Sequence, residues 1–437
     1  MRPRPRLLAA LLAVLLAALP ASAQDAPPAP SPPAPPLSTG DLDRILRRAE
    51  NNLVLHGLSL DGRFLDRAVG DYRKAVARMP TDAGTGPRLA AHFALAFCIA
   101  RADFPPEPVA RAALAKEAAG ALEEAARIDP TVPGRLVVEG MLQEQMGDPR
   151  TAVARITAGL EDLEKGPPLA GWQGYQLRLF GLLARCRALL EPGMNREDLA
   201  LKDAERAERL AEGALLDPDA PRENRLRRVV RTHVAAAQVK LDNFREAERI
   251  LEALAREDPD NFLHAYNLGL VLAQQQKYPR ALEWYRRAAD LDPRDPRPHL
   301  KVGYILLIHP PPGGEPDAAG AEREAQVYLA TTGGKNDEYC ALRGEAAWVR
   351  GDRKAAERWF TESLAINPAC LHSLNRMVQI LGSDDRPTPE REKTLREVKE
   401  RLEKAMEERN RGGGGMGAEK TGLTFCRESG PPVARTG

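Results

Sequence analysis

A spacing of 34 residues constrains this chain more than any other feature. Pro259 and Pro293 stand 34 residues apart, and so do Gly269 and Gly303. Asp260 to Pro293 reads as two amphipathic helices joined by a short turn. A unit of that size cannot bury its apolar face alone and must stack on copies of itself. An irregular helical bundle is the alternative, but it requires no fixed period. Ala, Leu, Arg and Glu abound, and only 5% of the 437 residues are aromatic. That balance favours helices over a β-sandwich or barrel. The 37 prolines must then fall between helices rather than inside them.

The residues at fixed offsets have physical reasons. Gly269 and Ala281 are small enough to let two paired helices approach closely, and Ala288 leaves the same room for the next pair. Leu272 and Tyr285 fill the space between the helices, and Pro293 ends one unit and begins the next. With Leu268, Tyr278 and Pro293, this segment resembles the tetratricopeptide repeat at nearly every signature position. The resemblance implies an all-α fold. It is an α-solenoid, a right-handed superhelix of helix–turn–helix tetratricopeptide repeats, about eight in number. Weaker copies are readable at 337–368, 226–259 and 134–163. Three further helix ends close on Met79-Pro80, Asp129-Pro130 and Asp217-Pro218. The turn after Leu306 is lengthened by Pro310-Pro311-Pro312-Gly313-Gly314.

The two ends read differently. Arg2, Arg4 and Arg6 precede an apolar run from Leu7 to Leu19, and Ala21-Ser22-Ala23 follows. That order is a signal peptide over 1–23, with an uncleaved membrane anchor as the alternative. The run of 13 is short for a bilayer span, which needs about 20 residues. Residues 24–40 form an Ala/Pro-rich linker. The array occupies 41–410, and 411–437, rich in glycine, reads as a disordered tail. The array's last helix starts at Thr388-Pro389-Glu390. Its stripe of Leu395, Val398, Leu402 and Met406 makes it a capping helix, with a coiled-coil partner helix as the alternative. An exported chain, periplasmic or secreted and bacterial in character, is the expectation, with no stable membrane insertion after signal cleavage.

Lys plus Arg number 63 against 62 Asp plus Glu, a balance of +1 that argues against nucleic acid as a partner. Removing the three leading arginines makes it slightly negative. None of the seven histidines has another four residues away, so no helical pair offers a metal site, and each reads as a surface or groove residue. No phosphate loop and no Gly-x-Ser-x-Gly turn is present. The expectation is therefore a chain with no enzyme activity, metal or cofactor. A helical-repeat enzyme would need a carboxylate pair of raised pKa, for which Glu338 and Glu345 are the candidates. Cys340 and Cys370 stand near the starts of consecutive first helices, where a disulfide is conceivable. Cys98 and Cys186 read as small buried hydrophobes.

Tetratricopeptide arrays are mostly protein-binding scaffolds, and the family implies a concave groove lined by first helices. The groove-facing candidates are Tyr266, Asn267, Leu270, Arg297, Lys301, Tyr304 and Trp348. Aromatic and cationic groups together suit an extended peptide. Some family members clamp a terminal carboxylate through five positions; Asn267, Arg297 and Lys301 match three, while Thr232 and Ala236 break the pattern. The resulting expectation is a non-catalytic protein–protein interaction scaffold of the cell envelope. An envelope assembly or polymer-export accessory factor is the alternative.

Overall fold

The computed structural model describes residues 35–411, except 60–61, 103, 106, 167–171, 215–222, 311–313 and 384–386. The segment read as a signal peptide (1–23), most of the segment read as a linker, the residues beyond 411 read as a tail and the Asp217-Pro218 helix end lie outside the described residues. Among the described residues there are eighteen helices and no strand. They pair in chain order as antiparallel hairpins. The first four pairs are α1 (Thr39–Ser59) with α2 (Gly62–Ala77), α3 (Thr85–Arg101) with α4 (Pro108–Ile128), α5 (Arg135–Gln145) with α6 (Pro149–Lys165), and α7 (Trp172–Leu190) with α8 (Glu197–Ala214). The next four are α9 (Glu223–Lys240) with α10 (Phe244–Glu257), α11 (Phe262–Gln274) with α12 (Tyr278–Leu291), α13 (Arg297–Ile308) with α14 (Ala318–Thr332), and α15 (Asp337–Val349) with α16 (Arg353–Ile366). A last pair, α17 (Leu371–Gly382) and α18 (Pro389–Arg411), closes the array. The fold is all-α, an α-solenoid of eight helix pairs and a terminal cap. Its first helix begins at Thr39, inside the segment read as linker.

The turn within a hairpin is built from the backbone. After α11 the Gln276 N–H donates to the Ala273 carbonyl and the Lys277 N–H to the Leu272 carbonyl, both at 2.9 Å. The same two bonds recur at Gly147-Asp148, Asp242-Asn243 and Gly351-Asp352. This helix ending places one residue in the left-handed region. Gly147 and Gly351 take it freely at φ 81° and 76°, whereas Asp242 and Gln276 hold φ 60° against their own side chains. The turns after α4, α10, α12 and α16 rely on Asp-Pro or Asn-Pro. Proline ends the helix, and the carboxylate or amide before it accepts a bond two residues on, as Asp129 does from the Thr131 N–H at 2.8 Å.

Close approach at a small residue sets the packing inside each pair. A Cβ on Gly269 would lie 2.8 Å from the Tyr285 ring, and one on Gly344 would lie 2.7 Å from the Phe360 ring. Both rings are fully buried, as are Ala281 and Ala288. Gly303 makes room in another direction, toward Leu342 of α15 in the next pair. In the cap, Val398 and Ala405 are buried while Met406 is half exposed. The stripe drifts around the helix because 3.6 residues make a turn, so Ala405 takes the inward place expected for Met406.

Most first helices of the leading half are longer: α1, α3, α7 and α9 run 21, 17, 19 and 18 residues, whereas α5 runs 11 and α11, α13 and α15 run 13, 12 and 13. The five leading first helices close on one another, with α1 packed on α3 to one side and on α9 to the other. A single core joins Leu53, Phe97, Val137, Phe180 and Val230. Arg101 lies within it, 3% exposed. Its guanidinium donates to Gln176 Oε1 at 2.7 Å, lies 2.6 Å from His56 Nδ1, and sits 3.6 Å from the Phe180 ring centre. These contacts tie α1 to α3 and α7, and the concave side of the first half is filled by the chain's own residues.

Several histidines are buried, contrary to the expectation of surface or groove positions. His56, His233 and His264 are at most 1% exposed. Helix faces that read as mixed become internal once neighbouring pairs stack on them. Burial, reinforced by nearby Arg187, pushes His233 down to about 4, although Glu144 and a bond to the Val229 carbonyl act the other way. Burial also brings His264 to about 4, with Arg228 aiding and Asp258 and Glu257 opposing.

Two tests follow from these features. Gln276→Gly, at an exposed position, is expected to stabilise the chain by about 1 kcal/mol in urea unfolding, because it removes a left-handed strain. Gly269→Ala is expected to destabilise it by about 1–3 kcal/mol through overpacking on Tyr285. Equal midpoints for the wild type and both variants would contradict this account of the turn and the contact. The buried histidines set a pH dependence. Above about pH 6.5 both folded and unfolded forms are neutral at these positions. Below it the unfolded chain takes the protons first, so stability falls as pH drops toward 4 and then levels. Each histidine contributes up to about 3 kcal/mol of that loss. His233→Gln and His264→Gln should each flatten the change between pH 7 and 4.5, and an unchanged slope would refute the assignment.

Candidate protein-binding groove

The groove is built by α11, α13, α15 and α17. On α11, Tyr266, Asn267 and Leu270 are buried. Tyr266 stacks on Phe262 with ring centres 5.8 Å apart and leans on Tyr285 at 5.7 Å. The Arg297 guanidinium covers both Phe262 and Tyr266, at 5.4 and 5.0 Å. Burial pushes the Tyr266 hydroxyl up to about 12. These three side chains serve packing rather than an open surface. Their positions in the repeat give a direction, and the helix that follows closes over them.

Arg297 is held by Asp295, with Nε 2.9 and 3.0 Å from the two carboxylate oxygens. Thr232 and Ala236 are buried, and the Thr232 hydroxyl donates to the Arg228 carbonyl. With Asn267 buried and Arg297 engaged, the matched positions do not assemble an open carboxylate clamp. Lys301, Tyr304 and Trp348 are partly exposed. Among the described residues Lys301 has no ion pair. Tyr304 meets the His372 ring edge-on at 5.3 Å, so α17 belongs to the groove.

Glu345 is the polar centre of this half. It is 1% exposed and accepts from His372 Nε2 at 3.1 Å, from Arg376 Nε at 2.7 Å and from Arg376 Nη2. Burial alone would raise its carboxyl, but the bonds from His372 and Arg376 outweigh that and hold it below the usual range. Glu338 is exposed and accepts from the Tyr328 hydroxyl at 2.5 Å. The two carboxylates are therefore not buried together, and neither is arranged as a general acid. Among the described residues no group of histidine, cysteine or carboxylate side chains is arranged to hold a metal ion. No helix there is long and apolar enough to cross a membrane.

The disulfide considered between Cys340 and Cys370 is not formed. Cys340 is a buried free thiol in the core of α13–α15, whereas Cys370 packs against the next core and caps α17, its thiol 3.4 Å from Ser373 Oγ. Cys98 and Cys186 are fully buried, and burial pushes the Cys98 thiol up to about 12 and the Cys186 thiol further. Sequence reasoning stopped the groove at Trp348. Carrying the 34-residue step from Leu342 to Arg376 would have found the inward face of α17.

At the turn edge of the groove lies a cleft of about 650 Å³. Its walls are Leu307 and Ile308 at the end of α13, Pro316 from the lengthened turn, and Trp348 and Val349 at the end of α15. Arg353 and Arg376 flank it and buried Glu345 forms its floor. Ile308 is 39% exposed.

Comparison with known proteins gives the architecture a name. Residues 235–296 match the family model described as tetratricopeptide repeat. The apo form of RapI superposes with a TM-score of 0.56 at 10% identity, covering 85% of this chain and 97% of that one. A tetratricopeptide repeat protein from Parabacteroides merdae aligns at 0.42 with 14% identity, over 68% and 93% of the two chains. PilW, described as a type IV pilus biogenesis factor, aligns at 0.43 with 15% identity, over 56% and 99%. Residues 235–296, from the end of α9 through α12, are thus a tetratricopeptide-repeat segment, and the helix pairs before and after it are built alike.

Proposed function

We propose that this chain is a non-catalytic scaffold of the cell envelope that holds a protein or peptide segment on the concave face of its second half. The observation that carries the reading is the contrast between halves. The first five first helices fill their concave side with Phe97, Arg101 and Phe180, whereas α13, α15 and α17 leave Lys301, Tyr304 and Trp348 partly exposed. Partly exposed aromatic and cationic groups on a rigid helical frame are the groups that carry most of the energy in protein interfaces. The repeat family supports a protein partner, and fold alone does not identify it. An enzymatic reading has lost its carboxylate pair.

Export rests on the order of charge, apolar run and small residues in 1–23. Amino-terminal sequencing of the natural protein is expected to begin at Gln24, in the envelope or medium. A chain retaining Met1 in the cytosol would contradict it. For binding, a photocrosslinker placed at Lys301, or at exposed Asn375 on α17, in living cells should trap a defined partner, and one at exposed Val109 on α4 should not. Trp348→Ala is expected to weaken that partner's affinity about tenfold or more. Crosslinks concentrated at Val109 would place the interface elsewhere.

A further inference from the structure

We propose that Cys370 and Cys426 form a disulfide that ties the carboxy-terminal segment back to the start of α17 and closes a loop around the α17–α18 cap. The chain has five cysteines. Three of them, Cys98, Cys186 and Cys340, are fully buried in the cores of the array, where no outside reagent reaches their sulfur. Cys370 differs: it caps α17 and is partly exposed, with its thiol 3.4 Å from Ser373 Oγ. Cys426 lies outside the described residues, in the segment that follows α18. Elimination leaves these two as the pair open to oxidation. The inference rests on the export reading above for its oxidising compartment.

The path of α18 brings the pair within reach. Arg401 of α18 donates to the Pro368 carbonyl at 2.9 Å, two residues before Cys370, so α18 passes the edge of the array where Cys370 sits. Ten further residues of helix, to Arg411, add about 15 Å. The fifteen residues from Arg411 to Cys426 include Gly412 to Gly415 and Gly417. A glycine-rich stretch of that length spans about 20 Å on average, so the tether matches the return distance. The loop encloses all of α17 and α18. α17 supplies His372 and Arg376 to Glu345 and so builds the groove's last wall. A terminal pair has a neighbour on one side only and opens first. Cross-linking restricts the unfolded cap and so holds that wall in place. An external disulfide is the oxidant. The Cys426 thiolate attacks it and releases one thiol, and the Cys370 thiolate then attacks the mixed disulfide and releases the second. Two thiol protons are lost and the two electrons pass to the oxidant.

The full chain, purified under reducing conditions and then exposed to oxidised glutathione, tests the pairing wherever the protein resides. Alkylation without reduction, followed by peptide mass spectrometry, is expected to find the Cys370 and Cys426 peptides joined within one chain. Cys98, Cys186 and Cys340 should be free thiols that react only after unfolding. A tethered thiol acts at millimolar effective concentration, so at micromolar protein the loop should outnumber disulfide-linked dimers about a hundredfold or more. Hydrogen exchange at the α17 and α18 amides should slow about tenfold or more on oxidation. Cys370→Ser and Cys426→Ser should each abolish that difference. Glutathione adducts at both cysteines with no joined peptide overturn the proposal. So do links mainly between chains, or a joined pair that leaves exchange at the cap unchanged. If the loop forms in the purified chain while the natural protein carries both thiols free, the export reading falls and the pairing stands.

Discussion

Two helices of a dozen residues each are not stable on their own; what makes them a unit here is contact at a residue with no room for a side chain. Gly269 against Tyr285, and Gly344 against Phe360, bring paired helices to a distance at which the ring fills the gap. Ala281 and Ala288 extend the same close contact along α12 and toward the next pair. Every later property depends on that spacing. It fixes how the pairs stack, which faces of the first helices turn inward, and how far apart the inward side chains of α13, α15 and α17 stand.

The same stacking has opposite outcomes in the two halves. In the first half α1 reaches α9 and the inward side chains meet one another. Arg101, held between His56, Gln176 and Phe180, completes that closure with polar contacts inside an apolar core. In the second half the concave side stays open, and Glu345 organises it by gathering His372 and Arg376 from α17. A buried carboxylate with three charge-assisted bonds orders the side chains around it. Trp348 and Ile308 are thereby left at the edge of a cleft with fixed walls.

Much of this was legible in the sequence. Gly, Ala, Pro and Asp at constant offsets dictate helix ends and close contacts, so the hairpins from α9 onward follow from the period. The roles of Tyr285, Ala281 and Ala288 were readable because each has one local partner. The burial of Tyr266 and Asn267 was not, because a repeat position states where a side chain points and not whether the next helix covers it. Closure of the first half was also hidden. It depends on contacts between α1 and α9, which lie far apart in the chain. The part of the cleft owed to α17 escaped because the period was followed to the last complete repeat and no further.

The central claim is that the chain's own first helices close one half of its concave side and leave the other open. Hydroxyl-radical footprinting of the free protein, read residue by residue by mass spectrometry, tests this most directly. The account predicts that Trp348 and Ile308 are modified readily while Phe97 and Phe180 are as protected as Tyr285. Modification of Phe97 and Phe180 at rates like that of Trp348 would mean an open first half, and would contradict it.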